Sequence, residues 1–464
     1  GTRSLPDLGL GRLRVRGQLL EIGAELLRFD LAETAEYLRL RDIPPLPAPA
    51  LAQLHERTEG WIAALLLACP ALDTRENAAA FFARLSGTSG PIADYLTDDV
   101  LARQPAEVRE FLLRMSILRQ LSAPLCQALM PQLDCACMLE RVRAQGLFLS
   151  PVQAGDAGPQ YRFHSLFATF LRGQLQREHP GQVQRLHLQA SAWYESVGRP
   201  VPAIDHAIEG GDLPHAVALL AANAQRFLEQ GRMRLLRRWF EALPQSVLQA
   251  RPVLQAIAVW ALLFTQGAQQ ALARLNDANL ADSDDPVIRA HVNAARPVLL
   301  GMLDRYDEAR QAGHASLARL PSAVPFADTV LINCMAHITA VMGEKHQAQR
   351  LLDAARRTQA DSVFNRMYTE STEGLLDLEQ GRLRQATARF RVAVDATSRA
   401  RDYGHGHGNA WAGVLYAMAL YDANQLDVVE RLLNVYLPLA RDCGLADHMI
   451  ASHAMRARLA FWCG

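Results

Sequence analysis

Tyr161-Arg162-Phe163-His164-Ser165-Leu166-Phe167 is the stretch whose residue types and spacing could do chemistry. In a strand, Tyr161 and Phe163 share one face, and Arg162 and His164 share the other. Ser165 suits the cap of a helix whose apolar positions are Leu166, Phe167, Phe170, Leu171 and Leu175. His164 then stands where a strand passes into a helix. A helix N-terminus with a donor beside it is suited to a phosphate. The competing assignment is a histidine satisfied in the core between aromatic neighbours, and spacing by itself favours that one.

A second string, Thr58-Glu59-Gly60-Trp61, lies inside a helix-forming run. Glycine weakens a helix interior, so either another backbone passes close to it, or the helix tolerates it. Other chemistry is missing. No G-x-x-x-x-G-K-S/T, G-x-S-x-G or H-E-x-x-H occurs, so no catalytic residue is assigned. Without a phosphate-cradling loop, the chain by itself is not expected to hydrolyse ATP. Gly404-His405-Gly406-His407-Gly408 reads as a loop, because two histidines without further ligands make a poor metal site. The cysteines at 69, 126, 135, 137, 334, 443 and 463 show no paired zinc spacing and read as reduced thiols of a cytoplasmic protein.

The elements that position these groups are predominantly helical. A chain of 464 residues, half of them hydrophobic, can bury several cores. Its formal net charge of +0 supplies no gross drive toward nucleic acid or membrane. No apolar run reaches the roughly 20 residues of a membrane span. Residues 1–28 read as a turn, a basic helix and a short strand at Leu19–Ile22. Residues 29–91 form a helical domain, in which Asp30 with Glu33 starts one helix. A second helix carries Leu51, Leu54, Thr58, Trp61, Ile62, Leu65 and Leu66 and ends before Pro70. Residues 92–178 give helices followed by a hairpin, Leu147–Leu149 and Tyr161–Phe163, which is the layout of a winged helix. No basic cluster marks a recognition helix there, so a structural or regulatory unit is expected rather than a DNA reader.

From residue 179 to 464 the chain repeats. Turns start at Gly211, Gly267, Asp304, Gly343, Gly381 and Asn424, and from Gly267 they lie 37, 39, 38 and 43 residues apart. Small or branched residues follow at Ala216, Ala271, Ala309, Ala348, Ala386 and Val429. That period means stacked helix pairs, because one hairpin cannot bury its apolar face alone. Such stacks recognise ligands or partners along an extended face. Trp260, Arg305, Tyr306, Tyr368 and Trp411 are the residues picked to line it, although core packing is the commoner fate of each type.

Three strings occur in order: the run from Gly9 to Ile22, Thr58–Trp61 and Tyr161–Phe167. On these the chain resembles the MalT-like large ATP-binding regulators of the LuxR type, in the STAND class of signalling ATPases. The resemblance implies the end of a nucleotide-binding domain at 1–28, then helical, winged-helix and tetratricopeptide-like sensor domains. It implies ATP or ADP as the cofactor of the longer protein, a slow signalling ATPase, with none held by this segment alone. Arg3 would sense the terminal phosphate, Gly60 would pack beside the nucleotide, and His164 would reach the β-phosphate of ADP. An inducer or regulatory protein would bind the repeats. DNA and RNA polymerase would be met only through other domains, and self-association of the longer protein stays open. The chain starts at Gly1-Thr2-Arg3-Ser4 and stops at Phe461-Trp462-Cys463-Gly464, which reads as a fragment. The alternative is a tetratricopeptide-like scaffold that holds partner proteins without nucleotide.

Overall fold

The computed structural model describes residues 10–20, 22, 24–72, 90–155, 158–278, 280, 282–358, 362–398, 408–442 and 446–463. Arg3 and the glycine-histidine run at 404–407 lie outside the described residues. The chain forms two compact units, Gly1–Asp212 and Leu213–Gly464.

The first unit opens with α1 (Leu10–Val15), α2 (Leu31–Leu40), α3 (Ala48–Thr58) and α4 (Ile62–Leu72). Asp30 Oδ1 accepts from Glu33 N–H at 2.7 Å, and the Glu33 carboxylate accepts from Asp30 N–H at 2.9 Å. The expected capping box is therefore present. The described residues of the strand expected at Leu19–Ile22, which are 19, 20 and 22, are not in a strand. Leu20 and Ile22 are exposed on irregular chain, with no partner strand for their backbone groups among the described residues. The single helix expected from Leu51 to before Pro70 is two helices, α3 and α4. It breaks because Glu59 (φ 47°) and Gly60 (φ 69°) are left-handed, and Pro70 lies inside α4.

The winged helix follows. After α5 (Pro91–Tyr95) come α6 (Ala106–Met115), α7 (Ala123–Leu129) and α8 (Cys135–Ala144). Strands β1 (Leu149–Gly155) and β2 (Gly158–Phe163) pair antiparallel with Leu149 opposite Phe163, and Leu121 bridges Tyr161 on the other edge. The first strand is displaced from the expected Leu147–Leu149: it shares only Leu149 and runs through the stretch 151–155 read as the connecting loop, while β2 starts three residues before Tyr161, because hairpin pairing continues past Pro151. Phe111, Leu112, Leu125, Phe163 and Phe167 fill the core. Then come α9 (Ser165–Glu178), α10 (Pro180–Ser196) and α11 (Pro200–Glu209). The last two, assigned to the repeats by sequence, cluster with this unit.

Inside it, His187 of α10 and His206 of α11 are buried with their Nδ1 atoms 2.8 Å apart. One nitrogen must donate and the other accept, so the pair tolerates one proton between them and not two. Burial pushes His206 down to about 3, helped by His187 and Arg119. Burial also lowers His187, against the pull of Glu209 and with the push of Arg172. Both folded values lie below the unfolded one near 6.5. Stability is therefore full above that value and falls as pH drops toward the folded values, by about 1.4 kcal/mol per pH unit for each site. Thermal melts of the chain should shift down between pH 7 and pH 5. His206→Phe, which keeps the stack on Tyr194 (5.6 Å between centroids), should flatten that slope by one proton. An equal slope in the variant would show that the pair does not carry it.

The second unit is helical throughout its described residues. It comprises α12 (Leu213–Glu229), α13 (Met233–Ala242), α14 (Gln245–Gln249), α15 (Pro252–Gln266), α16 (Ala268–Asp277), α17 (Pro286–Gly301) and α18 (Tyr306–Leu317). These are followed by α19 (Pro325–Val341), α20 (Lys345–Thr358), α21 (Val363–Glu379), α22 (Leu383–Ser398), α23 (Gly408–Asp422), α24 (Leu426–Asp442) and α25 (Ala446–Cys463). All six turn starts read from sequence have positive φ: Gly211 79°, Gly267 96°, Asp304 58°, Gly343 86°, Gly381 75° and Asn424 57°. Glycine takes this conformation freely, and Asp and Asn are the side chains that best tolerate it. The six residues that follow, Ala216, Ala271, Ala309, Ala348, Ala386 and Val429, are each 0% exposed. Within the second unit Ala271, Ala309, Ala348 and Ala386 are small contacts that let the second helix of a pair lie close on the first, and Val429 takes the same position.

Candidate functional site

His164 is a buried polar residue of the first unit. Strand β2 delivers it to the start of α9, and it is 3% exposed. The structure makes His164 itself the N-cap, in place of Ser165. Its Nδ1 accepts from Leu166 N–H at 3.3 Å. Its Nε2 lies 3.0 Å from the carbonyl oxygen of Thr58, at the end of α3. Nδ1 accepts and a carbonyl cannot donate, so these contacts select the neutral tautomer with the proton on Nε2. Ser165, freed from capping, donates its hydroxyl to the Arg57 carbonyl at 3.1 Å.

Trp61 covers the imidazole edge-on at 5.7 Å and packs on Phe148 at 5.0 Å and Tyr95 at 6.1 Å. Burial lowers the His164 pKa. The Glu59 carboxylate and the Thr58 carbonyl oppose that, while Arg28 and Arg162 add to it. The ring is therefore neutral at pH 7.

Glu59 lies beside it and ties three segments together. Its carboxylate accepts from both terminal nitrogens of Arg162 at 3.2 and 3.1 Å, from Ser165 N–H at 3.0 Å and from Arg28 at 3.4 Å. Arg28 also donates to Ser150 Oγ of β1 at 3.2 Å. Burial works to raise the Glu59 carboxyl, but His164, the Ser165 N–H and Arg162 together outweigh it and hold it below the usual carboxylate range. With His164 neutral, the hydrogen bonds and Arg162 do that at pH 7. Arg162 and His164, placed on one strand face by sequence, thus grip adjacent residues of the same helix end.

Gly60 settles the choice left open by the sequence in favour of close backbone approach. A Cβ there would sit 2.1 Å from the Phe29 carbonyl oxygen. Phe29 N–H donates to the Gly60 carbonyl at 3.0 Å, which ties the entry of α2 to the end of α3. Sequence reading picked Gly60 and His164 but passed over Glu59 and Arg162. The signal available was a lone acid just before a glycine at the end of an apolar helix pattern.

The repeat residues separate. Trp260 is 0% exposed and donates its indole N–H to His291 at 3.2 Å, so it is core and not a lining residue. Tyr368 of α21 and Trp411 of α23 are brought together, stacked at 5.1 Å and 25°. His337 of α19 stands edge-on to Trp411 at 6.0 Å, and His448 of α25 is at 6.4 Å. Arg305 lies elsewhere, on an open groove of about 470 Å³ with Asn276, Arg296, Glu308 and Gln311. It is paired with Glu308 at 2.6 Å. Tyr306 begins α18 and is half-buried. Among the described residues no group of three or more His, Cys, Asp and Glu is placed to hold a metal ion. Nor is any described helix long and apolar enough to cross a membrane.

A family model described as the MalT winged helix domain matches residues 97–183. The serine/threonine-protein kinase PknK of Mycobacterium tuberculosis is 30% identical over 98% of this chain and 41% of its own length. The HTH-type transcriptional regulator MalT of Yersinia pestis is 31% identical over 75% of this chain and 38% of its own. The chain thus spans about two fifths of the length of these relatives. A solved STAND protein with a tetratricopeptide repeat sensor from Pyrococcus horikoshii overlaps 95% of this chain and 70% of that one. Its identity is 14% and its TM-score 0.37, a level that carries no argument about shared fold.

Proposed function

Because this chain is MalT-like and carries the MalT winged helix at residues 97–183, we propose that it is the regulatory and sensing portion of an ATP-dependent, LuxR-type transcription activator. In this reading the junction of α3 with α9 is a nucleotide gate, and the repeats receive an inducer or a regulatory protein. ATP or ADP would be held with an ATPase module supplied by other segments of a longer polypeptide, and a separate helix-turn-helix would meet DNA and RNA polymerase. A cytoplasmic location goes with such a role.

The observation that carries the reading is the placement of His164. Its Nε2–H points across from the winged helix to the free end of α3, and the N-terminal N–H groups of α9 lie beside it. A phosphate oxygen could take the place of the Thr58 carbonyl at modest cost, because one acceptor replaces another. An inducer would act by binding one arrangement of the gate more tightly than the other. The half-buried Tyr368–Trp411 stack is the surface this reading assigns to sensing.

His164→Ala in the longer regulator should weaken ADP retention about 10- to 100-fold, the worth of one charge-assisted contact, and should raise basal transcription. Retained ADP measured after gel filtration, together with a reporter assay, checks both. Unchanged values in both would remove His164 from the gate.

One observation favours a second reading, a repeat scaffold with no nucleotide dependence. Both ring nitrogens of His164 are already satisfied by protein groups, so the junction is complete without a phosphate. The likeness to a protein named as a kinase also allows the same portion to serve another output. Calorimetric titration of the longer protein with ADP separates the two: absence of binding supports the scaffold.

A further inference from the structure

We propose that Glu59 is the positioning residue for His164: its carboxylate, gripped by Arg28, Arg162 and the Ser165 N–H, keeps the end of α3 wound so that the Thr58 carbonyl holds the His164 Nε2–H. Removing that grip releases the imidazole from the joint. The role assigned to His164 as a gate rests on the reading above, but the grip itself does not.

The geometry carries the inference in three steps. Glu59 sits at φ 47°, a left-handed conformation that a non-glycine side chain adopts only at a cost. Something must hold it there, and its carboxylate has partners on three separate segments: Arg28 before α2, Arg162 at the end of β2, and Ser165 at the start of α9. That left-handed residue is also what ends α3 at Thr58. It turns the chain so that the Thr58 carbonyl accepts from Trp61 N–H at 2.8 Å and from His164 Nε2–H at 3.0 Å. The Glu59 side chain is only 13% exposed, whereas that of Arg162 is 46% exposed. The carboxylate is thus the enclosed member, and the arginine can be changed from the solvent side. Without the carboxylate, Arg28 and Arg162 lose the anion they share, which weakens the hold between the segments.

The test is the titration of His164 in this chain, without nucleotide, read by NMR with histidine labelled in the ring. Its resonance is assigned by its loss in His164→Gln. Glu59→Gln and, independently, Arg162→Gln are compared with the parent chain. In Glu59→Gln the sign of the shift decides, and in Arg162→Gln the Nε2–H signature does. If the joint stays closed, loss of the Glu59 carboxylate removes a charge that raises His164 and leaves the two arginines that lower it, so the pKa falls. If the imidazole is released to water, its pKa climbs toward the ordinary value near 6.5, and the fixed Nε2–H signature gives way to averaged ring nitrogens. The proposal expects the rise in Glu59→Gln; in Arg162→Gln, where loss of a charge that lowers His164 raises the pKa even in a closed joint, it expects loss of the Nε2–H signature.

A fall in Glu59→Gln, or the Nε2–H signature intact in either variant, overturns it. Glu59→Gly gives a further check, since glycine accepts the left-handed conformation without strain. The proposal expects release there too. Retention of the closed signature in that variant would show that backbone shape alone positions Thr58. Because no nucleotide is present, a negative result leaves the gating reading standing, and loss of the gating reading by the ADP measurement leaves this one standing.

Discussion

Gly60→Ala should destabilise the first unit by about 2–4 kcal/mol, although it adds a single methyl group. Two effects add. The residue sits at φ 69°, where an L side chain costs about 1–2 kcal/mol. The new Cβ would also lie 2.1 Å from the Phe29 carbonyl oxygen and 2.9 Å from its nitrogen, and both are backbone atoms that cannot rotate away. To make room, Phe29 must withdraw, and its N–H bond to the Gly60 carbonyl is then lost, at about 1 kcal/mol more. Hydrogen exchange should show the loss first at residues 29–34 and 58–62, ahead of the winged-helix core. Uniform protection equal to the parent chain in those two stretches would refute the account.

Arg389→Ala is expected to be the most damaging charge removal in the repeats. Arg389 of α22 reaches Glu370 at 3.1 Å, Glu373 at 2.7 Å and Asp377 at 2.8 Å, all on α21. The side chains of Glu373 and Asp377 are 7% and 4% exposed, so they cannot turn to water when their partner goes. Removing one member of such a buried set costs more than the set contributes, since uncompensated charge stays behind. Arg356 still pairs with Glu373 and Arg382 with Asp377, which limits the loss. About 2–3 kcal/mol is expected, below the 3–5 kcal/mol of an isolated buried pair. Denaturant titration gives the number. Adding Glu370→Gln to Arg389→Ala, which neutralises a carboxylate that pairs with Arg389 and leaves Arg356 and Arg382 their partners, should recover part of it. Failure of that recovery would show that Arg389 acts through packing of its stem instead.

The repeats were legible residue by residue because their information is local. A turn that needs positive φ takes Gly, Asp or Asn, a close helix pair takes Ala, and both follow from the allowed backbone angles and the volume of one side chain. Six turn starts chosen on that basis all have the conformation, and the six residues after them are all fully buried. The capping box of α2 was legible for the same reason. The helix break at Glu59–Gly60 was not: its periodicity runs on unbroken from Leu51 to Leu66, and only the approach of Phe29 makes two left-handed residues there worth their cost.

The sequence by itself determined that this is a helical chain with a hairpin before His164 and stacked pairs after it, since periodicity and turn chemistry act over a few residues. It also picked out Tyr368 and Trp411 by type. Only the tertiary structure decided which aromatics meet and which vanish into the core: Trp260 is enclosed by its bond to His291, while Tyr368 and Trp411, 43 positions apart, stack. It alone decided that His164 answers to Thr58, and Glu59 to Arg162. Those partners lie 106 and 103 residues apart, and no local rule of spacing reaches across that distance. Their meeting depends on how two separately folded helix ends and one strand pack, which is settled by burial over the whole unit.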